Sequence, residues 1–468
     1  MKATSKFKFV LASFIISAQD FIHPFMGYME PIIKTHFGSK MEFTFFNVNM
    51  FVLFLYIGIF SSFTFIPMSL KRMKIRIIMI YCLFLNSFAI LSLIYLRNYL
   101  LIYLMAYILG VLDGMILHTL NFAVVLLYPD NKSGAIGYNM AGTAFATFSW
   151  GCIVTYGVNP NNLKVNSEGV FPESVNQKIP GFLYAYGIIT LVLGLIGVYM
   201  FWDFDDEYKD EILQSLKNQN LDDSISLSQV SDIVTPIEER RKSRAQELKD
   251  SFQKELVELA EKSKDEVEDL NEAQFFKKYV LDKGFITLFL ISIVRLSNVI
   301  YFQNNFKFIT LSHINDDHFV SNMATITFIL NLAIRLLIGR VIKLIGLYNV
   351  LQLIFIGFSL VSFIYILFPY SKFFYVIAIS LIRIVSGAHV IVAVSTLYVI
   401  YDNQIAIKLL RYFMTVFIFS PILCNLLEMM FLEDNDYFYV FVSLAALCIV
   451  SIYALHSERK DIFKNLNE

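Results

Sequence analysis

Long apolar runs separated by short polar stretches make up most of the chain. A helix needs about 20 residues to cross the roughly 30 Å hydrocarbon core of a bilayer, and only helices or closed barrels satisfy every backbone group there. The runs are too long for barrel strands and do not alternate between polar and apolar residues. The pattern therefore predicts an all-α polytopic membrane protein with about twelve transmembrane helices in two six-helix halves. The predicted spans are residues 8–30, 44–66, 75–96, 99–121, 134–156, 181–202, 285–308, 320–340, 348–368, 373–399, 405–430 and 437–456.

A polar stretch at residues 203–283 separates the halves, which are predicted at 1–202 and 284–457, with a tail at 458–468. Its section 219–235 is rich in Ser and Asp and is expected to be disordered. Apolar residues then recur at steps of three and four, which predicts an amphipathic helix. That helix would lie on the membrane surface or act as a solvated linker, and the sequence leaves both possibilities open.

Lysine and arginine concentrate in alternate loops along the chain. One predicted side holds Lys2, Lys6, Lys8 and the basic loop 71–76, whereas the other side holds mostly single basic residues. Because cytoplasmic loops carry an excess of Lys and Arg, both termini are predicted to be cytoplasmic. The first apolar run has no small-residue cleavage site, so it is predicted to be a transmembrane helix and not a cleaved signal peptide.

The composition supports the same class of protein. Hydrophobic residues make up 57% of the chain and charged residues only 16%, whereas soluble domains usually carry about 25% charged residues. The formal net charge of −1 gives no bulk attraction to nucleic acid. No Gly-rich phosphate loop, HExxH or GxSxG motif occurs, so neither catalysis nor a cofactor or metal site is predicted. The cysteines lie in apolar segments without CxxC spacing and are interpreted as small buried side chains.

Three arginines, Arg295, Arg335 and Arg383, lie inside predicted spans of the second half. A charge at mid-bilayer costs roughly 2.5–3.5 kcal/mol on insertion scales, so it needs a water-filled cavity or a partner. The planar guanidinium binds carboxylates through paired hydrogen bonds, which makes these arginines candidate substrate-binding residues. A structural salt bridge or a helix cap is the alternative. His389 and Glu428 are weaker candidates in the same half.

The first half carries ionisable residues inside two predicted spans: Asp20 and His23 in the first, and Asp113 and His118 in the fourth. Asp20 and His23 are three residues apart and therefore share a helix face. Histidine titrates near neutral pH, so these four residues are candidates for coupling or cavity charges. Alternatively, the histidines are hydrogen-bonded within the bundle, and an aspartate only neutralises an arginine while no solute is bound.

The stretch 128–142 joins the fourth and fifth predicted spans. It contains an aromatic-Pro turn, a basic residue, and then a helix with Gly134, Gly137 and Gly142. Glycines let helix backbones approach closely and slide, so these three are predicted packing or hinge positions. The string resembles the fourth-to-fifth helix junction of the oxalate/formate antiporter and monocarboxylate transporter group of the major facilitator superfamily.

A second stretch places Asn331, Arg335 and Gly339 at intervals of four residues, on one face of the eighth predicted span. It is similar to the eighth helix of the same group, where an Asn or Asp precedes an Arg by four residues and a Gly follows four later. The resemblance supports Asn331 and Arg335 as substrate-binding residues and Gly339 as a packing position. In monocarboxylate carriers a proton-linked Asp stands where this chain has Asn331.

The resemblance implies the major facilitator fold, in which the first, fourth, seventh and tenth helices line a central cavity. The ionisable residues that fall on these four predicted helices are Asp20, Asp113, Arg295 and Arg383. The loop at residues 67–74 departs from the superfamily pattern, because it lacks the expected Asp between two glycines.

The arginines of one half and the acids and histidines of the other favour a secondary active transporter. It would move a small organic anion, a monocarboxylate or dicarboxylate, by alternating access. Its expected partners are that solute, a coupled proton or an exchanged anion, and the lipid bilayer. In one alternative, Asp20 and Asp113 bind a cationic or zwitterionic solute such as an amino acid. In another, the chain is a non-transporting sensor that signals through residues 203–283.

Overall fold

The computed structural model describes most of both halves of the chain. The described residues are 3–19, 30–127, 132–166, 170–200, 272–314, 316–367, 371–401, 403–431 and 437–462. The predictions for Asp20, His23 and the central stretch up to residue 271 lie outside them. Which side of the membrane the termini face stays a prediction, as do the domain boundaries.

Helices follow one another through the first half, joined by short connections. In chain order they are α1 (Ala3–Ser17), α2 (Glu30–Gly38), α3 (Phe45–Arg72), α4 (Ile75–Ser92), α5 (Tyr99–Leu127), α6 (Lys132–Val158), the short α7 (Glu173–Asn176) and α8 (Ile179–Met200).

The second half begins with one short helix and a π-helical turn at Phe276–Val280. Its helices are α9 (Glu272–Phe275), α10 (Lys283–Ile314), α11 (Asp317–Ile345), α12 (Leu347–Leu367), α13 (Lys372–Ile400), α14 (Asn403–Phe413), α15 (Val416–Phe431), α16 (Tyr437–Ser457) and the short α17 (Arg459–Ile462). Helices thus occupy the described parts of all the predicted spans, and the predicted fold class is confirmed.

Local signals set the ends of several helices. Asp316 precedes α11, and its carboxylate accepts the backbone N–H of Phe319 at 3.1 Å, as N-cap residues do. The same helix ends at Gly346, whose φ of 82° is a left-handed conformation that glycine adopts without a steric penalty. The hydroxyl of Ser371 accepts the N–H of Phe373 and caps α13 in the same way.

Apolar side chains cover the outside of the bundle. Among them, Phe88, Leu100, Tyr199, Leu344 and Tyr453 are each at least 67% exposed. A soluble protein rarely leaves so many large apolar side chains in water, whereas a bilayer is an apolar solvent for them. The surface therefore matches a lipid-facing bundle.

Nine helical stretches of the described residues are long and apolar enough to cross a membrane. The helices α6 and α11 are long enough but fall outside this set. Both carry buried polar side chains, including Asn139 and Thr143 on α6 and Asn331 and Arg335 on α11. These side chains face other helices, so they lower the hydropathy of the segment without meeting lipid.

The two halves make their most extensive contact where α6 packs against α11. Glycine makes this contact close: a Cβ atom on Gly137 would overlap the backbone carbonyl oxygen of Arg335. A Cβ atom on Gly142 would likewise overlap the carbonyl oxygen of Phe14 on α1. The structure places Gly134 and Gly339 on the same two helices, and their packing role stays a prediction.

The eleventh predicted span is two helices. The amphipathic α14 stops at Phe413, and α15 resumes at Val416 after a turn in which the N–H of Phe417 donates to the carbonyl of Met414. Pro421 inside α15 removes a further backbone donor. This interruption matters for the site, because residues on both sides of it line the cavity between the halves.

We expect Gly137→Ala to destabilise the contact between the halves by about 1–3 kcal/mol, the usual cost of overpacking. The added methyl group meets backbone atoms of α11, which cannot rotate away. The midpoint of thermal unfolding in detergent measures the effect. Gly181→Ala is the matched control, since nothing lies within 4 Å of its Cβ position. Equal midpoints for both variants would contradict the close α6–α11 packing.

Candidate functional site

A cavity of about 110 Å³ lies between the two halves. Helices α1, α3, α5 and α6 of the first half and α10, α13, α14 and α15 of the second half contribute to its lining. A single water needs roughly 10–15 Å³ of such space, so the cavity has room for several waters or a small solute. Its position between two similar halves is where transporters of this architecture bind solutes.

Most of the lining is apolar. Leu117 of the first half and Val299 and Met414 of the second half contribute hydrophobic surface. At the cavity edge, the rings of Tyr56 on α3 and Phe417 on α15 are stacked with their centres 6.0 Å apart. The few polar groups on the lining therefore stand out as the ones that would orient a solute.

Arg295 is the central cationic group of the lining. It lies in the middle of α10 and is only 1% exposed. Its Nη2 donates to the hydroxyl of Ser292 at 3.2 Å, and its Nε has no hydrogen-bond partner within the described part of the chain. No carboxylate of the described residues forms a salt bridge with it. A guanidinium in this position has donors to offer to a ligand in the cavity.

His389 adds a second nitrogen-bearing group from α13. It also lines the cavity, is 3% exposed, and lies close enough to Arg295 and Arg335 for their charges to act on it. Its Nδ1 has no hydrogen-bond partner among the described residues. The second half therefore presents Arg295 and His389 together on one wall.

The first half contributes Asp113 and His118, both on α5 and both on the lining. Asp113 is 6% exposed, and its carboxylate accepts the amide of Asn86 at 3.0 Å. The ring of His118 packs on Phe63 with centres 4.1 Å apart. Both predicted residues are thus at the cavity, on a helix of the other half from Arg295, and their role as coupling charges stays a prediction.

Arg335 lies at the contact between the halves. It is 2% exposed, and its Nη1 donates to the backbone carbonyl of Met140 and to the hydroxyl of Thr143 on α6. Met140 and Thr143 line the cavity, whereas Arg335 itself does not. A direct contact between Arg335 and a solute would require it to leave these acceptors, so its predicted role in substrate binding stays a prediction.

Arg383 and Asn331 lie inside the second half. The Arg383 guanidinium carbon is 3.9 Å from the centre of the Phe328 ring and 5.2 Å from that of Phe306. The Asn331 amide donates to the backbone carbonyl of Arg383 at 2.9 Å. Neither residue is part of the cavity lining. The geometry gives both a packing role, and their predicted role in substrate binding stays a prediction.

Hydrogen bonds join the halves at the end of the bundle where α6 ends and α11 begins, here called the distal end. The Asn159 amide donates to the Asp317 carboxylate at 2.8 Å, and the Tyr156 hydroxyl donates to Asn322 at 2.6 Å. His318 pairs with the carbonyl of Asn159 at 2.8 Å. The distal end is therefore closed in this structure.

A buried ion pair supports this closure. Lys307 Nζ on α10 lies 2.8 Å from Asp317 Oδ1, and the two side chains are 1% and 3% exposed. Neither residue is among the site residues predicted from the sequence. A lysine inside an otherwise apolar helix was the available signal, because such a charge needs a partner.

A second, exposed ion pair lies beside it. Lys372 Nζ is 3.0 Å from Asp316 Oδ2. Burial raises the pKa of Asp316, but the Phe319 N–H, the Lys372 ammonium and the Asn162 amide outweigh it and hold that pKa below its usual value. Asp316 therefore keeps its charge down to lower pH than an ordinary aspartate.

Comparison with known proteins places the chain among transporters. The sequence profile of the Major Facilitator Superfamily matches residues 9–403. The fold is similar to that of a mutant of the nucleoside transporter NupG, with 11% identity, a TM-score of 0.60, and coverage of 97% of this chain and 99% of that one. No curated protein sequence matches the chain significantly.

Two further solved structures share the fold. One is a D-xylose-proton symporter, with 12% identity, a TM-score of 0.64 and coverage of 97% of both chains. The other is the proton:xylose symporter XylE bound to 6-bromo-6-deoxy-D-glucose, with 12% identity, a TM-score of 0.64, and coverage of 98% of this chain and 96% of that one. At such identities the similarity establishes the fold alone.

We expect Asp317→Ala to cost roughly 3–5 kcal/mol, because it removes the carboxylate that balances the buried Lys307 ammonium. The double variant Lys307→Met with Asp317→Ala should recover part of that loss. Thermal unfolding midpoints in detergent give the comparison. Lys372→Met is the control: its pair with Asp316 is exposed, so its loss should cost at most about 1 kcal/mol. A double variant no more stable than Asp317→Ala would contradict the assignment.

Proposed function

The chain belongs to the Major Facilitator Superfamily, and we propose that it is a secondary transporter that moves a small organic anion across a membrane by alternating access. The assignment to the oxalate/formate antiporter and monocarboxylate transporter group is part of this proposal. It rests on the stretches around Gly137 and Arg335. The transporter neighbours support solute transport in general, and Arg295 carries the proposal that the solute is an anion.

The cost of burying charge supports an anionic ligand. A guanidinium within the bilayer is expensive unless it meets water or a partner, and among the described residues Arg295 is hydrogen-bonded only to the neutral Ser292. A carboxylate would supply a counter-charge and two acceptors in the plane of the guanidinium fork. His389, which also lines the cavity and feels the Arg295 charge, would hold the second carboxylate oxygen.

The rest of the cavity favours one carboxylate on a compact carbon skeleton. Arg295 is the arginine on the lining, and the surrounding surface is mostly apolar. A second carboxylate would face this apolar surface or Asp113, and both arrangements are unfavourable. A monocarboxylate is therefore favoured over a dicarboxylate.

Alternating access would use the contacts already described. The distal end is closed by hydrogen bonds and by the Lys307–Asp317 pair. The glycine contact between α6 and α11 lets the halves rotate about a close line of contact. Opening the distal end would break the polar contacts there, while the cavity between the halves is retained.

We expect Arg295→Gln to lower kcat/KM for uptake of labelled lactate, pyruvate or formate into proteoliposomes by about 10- to 100-fold. A hydrogen bond to a charged group contributes roughly 1.5–3 kcal/mol, which corresponds to that factor. Arg340→Gln is the matched control, because Arg340 is exposed and its loss should leave uptake unchanged. Uptake by Arg295→Gln equal to that of the wild type would refute the anion site.

A cationic or zwitterionic solute is the second candidate, and the observation that favours it is Asp113 on the opposite wall of the cavity. We expect Asp113→Asn to retain monocarboxylate uptake, because Asp113 already accepts the Asn86 amide and contributes no attraction to an anion. Competition separates the candidates. If amino acids inhibit uptake and monocarboxylates do not, and if uptake is lost in Asp113→Asn, a zwitterionic solute is favoured.

A further inference from the structure

A second polar cluster bridges the two halves outside the cavity, at the distal end. Its centre is Glu428, three residues before the end of α15 and only 5% exposed. Its Oε1 accepts the amide of Asn305 on α10 at 3.0 Å, and its Oε2 accepts the amide of Asn49 on α3. One carboxyl group therefore holds a residue of its own half and a residue of the other half.

No cation balances this carboxyl within the described part of the chain. The titratable groups that act on the cluster are Tyr301 from α10 and Cys424 from its own helix, together with Tyr437 from α16 and Tyr365 from α12, which act through Tyr301. The group that faces it from α3 is the neutral Asn49 amide. The lysine at the distal end of α10 is paired with Asp317. Glu428 can therefore gain a proton without breaking a salt bridge.

Protonation would change which half Glu428 holds. An ionised carboxyl accepts both amides, and these charge-assisted hydrogen bonds are about twice as strong as neutral ones. A protonated carboxyl carries an O–H donor, which would face the N–H donor of Asn49. The bond between the halves would be lost, or it would remain only as a weaker neutral bond after the amide turned over.

The structure also holds an acceptor for that new donor. The Tyr301 hydroxyl is buried and has no hydrogen-bond partner among the described residues. It lies one helical turn before Asn305, on the same face of α10, and within reach of the Glu428 charge. A protonated carboxyl that turned toward Tyr301 and donated to its hydroxyl would exchange a partner in the other half for one in its own half.

We propose that Glu428 is a proton-binding residue that couples protonation to opening of the distal end. Ionised, it ties α3 to α15 and α10 and keeps the distal end closed. Protonated, it bonds within the second half and lets the halves separate there. Because coupling between binding and conformation is reciprocal, a proton that favours the distally open state also binds that state more tightly.

Spin labels on exposed distal positions of the two halves test this in the full-length protein. Ser174→Cys and Phe373→Cys supply the labels, and Cys152→Ser removes the native cysteine that is not fully buried. We expect acidification to lengthen the distance between the two spin labels in the wild-type protein. Glu428→Gln, which mimics the protonated acid, should favour the long distance about tenfold at neutral pH and respond little to acidification.

Two further variants test whether the effect comes from the Glu428 contact. Asn49→Ala removes the donor of the other half and leaves the Asn305 bond intact, so it should also favour the long distance and lose the pH response. Glu42→Gln neutralises an exposed carboxylate near the same end and should behave like the wild type. The proposal is overturned if the wild-type distance ignores pH, follows Na⁺ in place of protons, or shifts equally in Glu428→Gln. These measurements use no solute, so their outcome is independent of the anion site.

Discussion

A buried polar group in this bundle is costly without a partner, because the surrounding hydrocarbon supplies none. The buried charged residues differ in the partners that the structure gives them. Arg335 has acceptors on α6, Lys307 has Asp317, and Glu428 has two amides. Arg295 has only Ser292 within the described residues and faces the cavity. The incomplete partnering of Arg295 is the feature that points to a ligand.

The same requirement explains how the halves are joined. Polar side chains that cannot face lipid are directed to the contacts between α6 and α11 and to the distal end. Such contacts are strong while they are made and can be exchanged for water when the end opens. A purely apolar contact between the halves would give no such discrete set of bonds to break. The polar contacts between the halves therefore hold the distal end together, and a change in the charge of their side chains can release it.

Hydropathy identifies the helices that face lipid, but it identifies less well the helices α6 and α11, which form the contact between the halves. The helices that are long and apolar enough to cross a membrane include α3, α5 and α12 but not α6 and α11. Their helical nature was still predictable, because small residues and spaced polar residues fit a helix packed among helices. The break between α14 and α15 was not predicted. It arises from local bonds around Met414 and from Pro421, at the point where an amphipathic segment gives way to an apolar one.

The sequence alone predicts the all-helical membrane class, the division into halves and the presence of charges at depths where they need partners. The chemistry of Arg295, Arg335 and Arg383 is identical, and only the family resemblance favoured Arg335 among them. Depth follows from position along a span, whereas the direction of a side chain depends on how its helix is rotated against its neighbours. Only the packed structure decided that Arg295 faces the cavity, Arg335 bridges to α6 and Arg383 lies against Phe328.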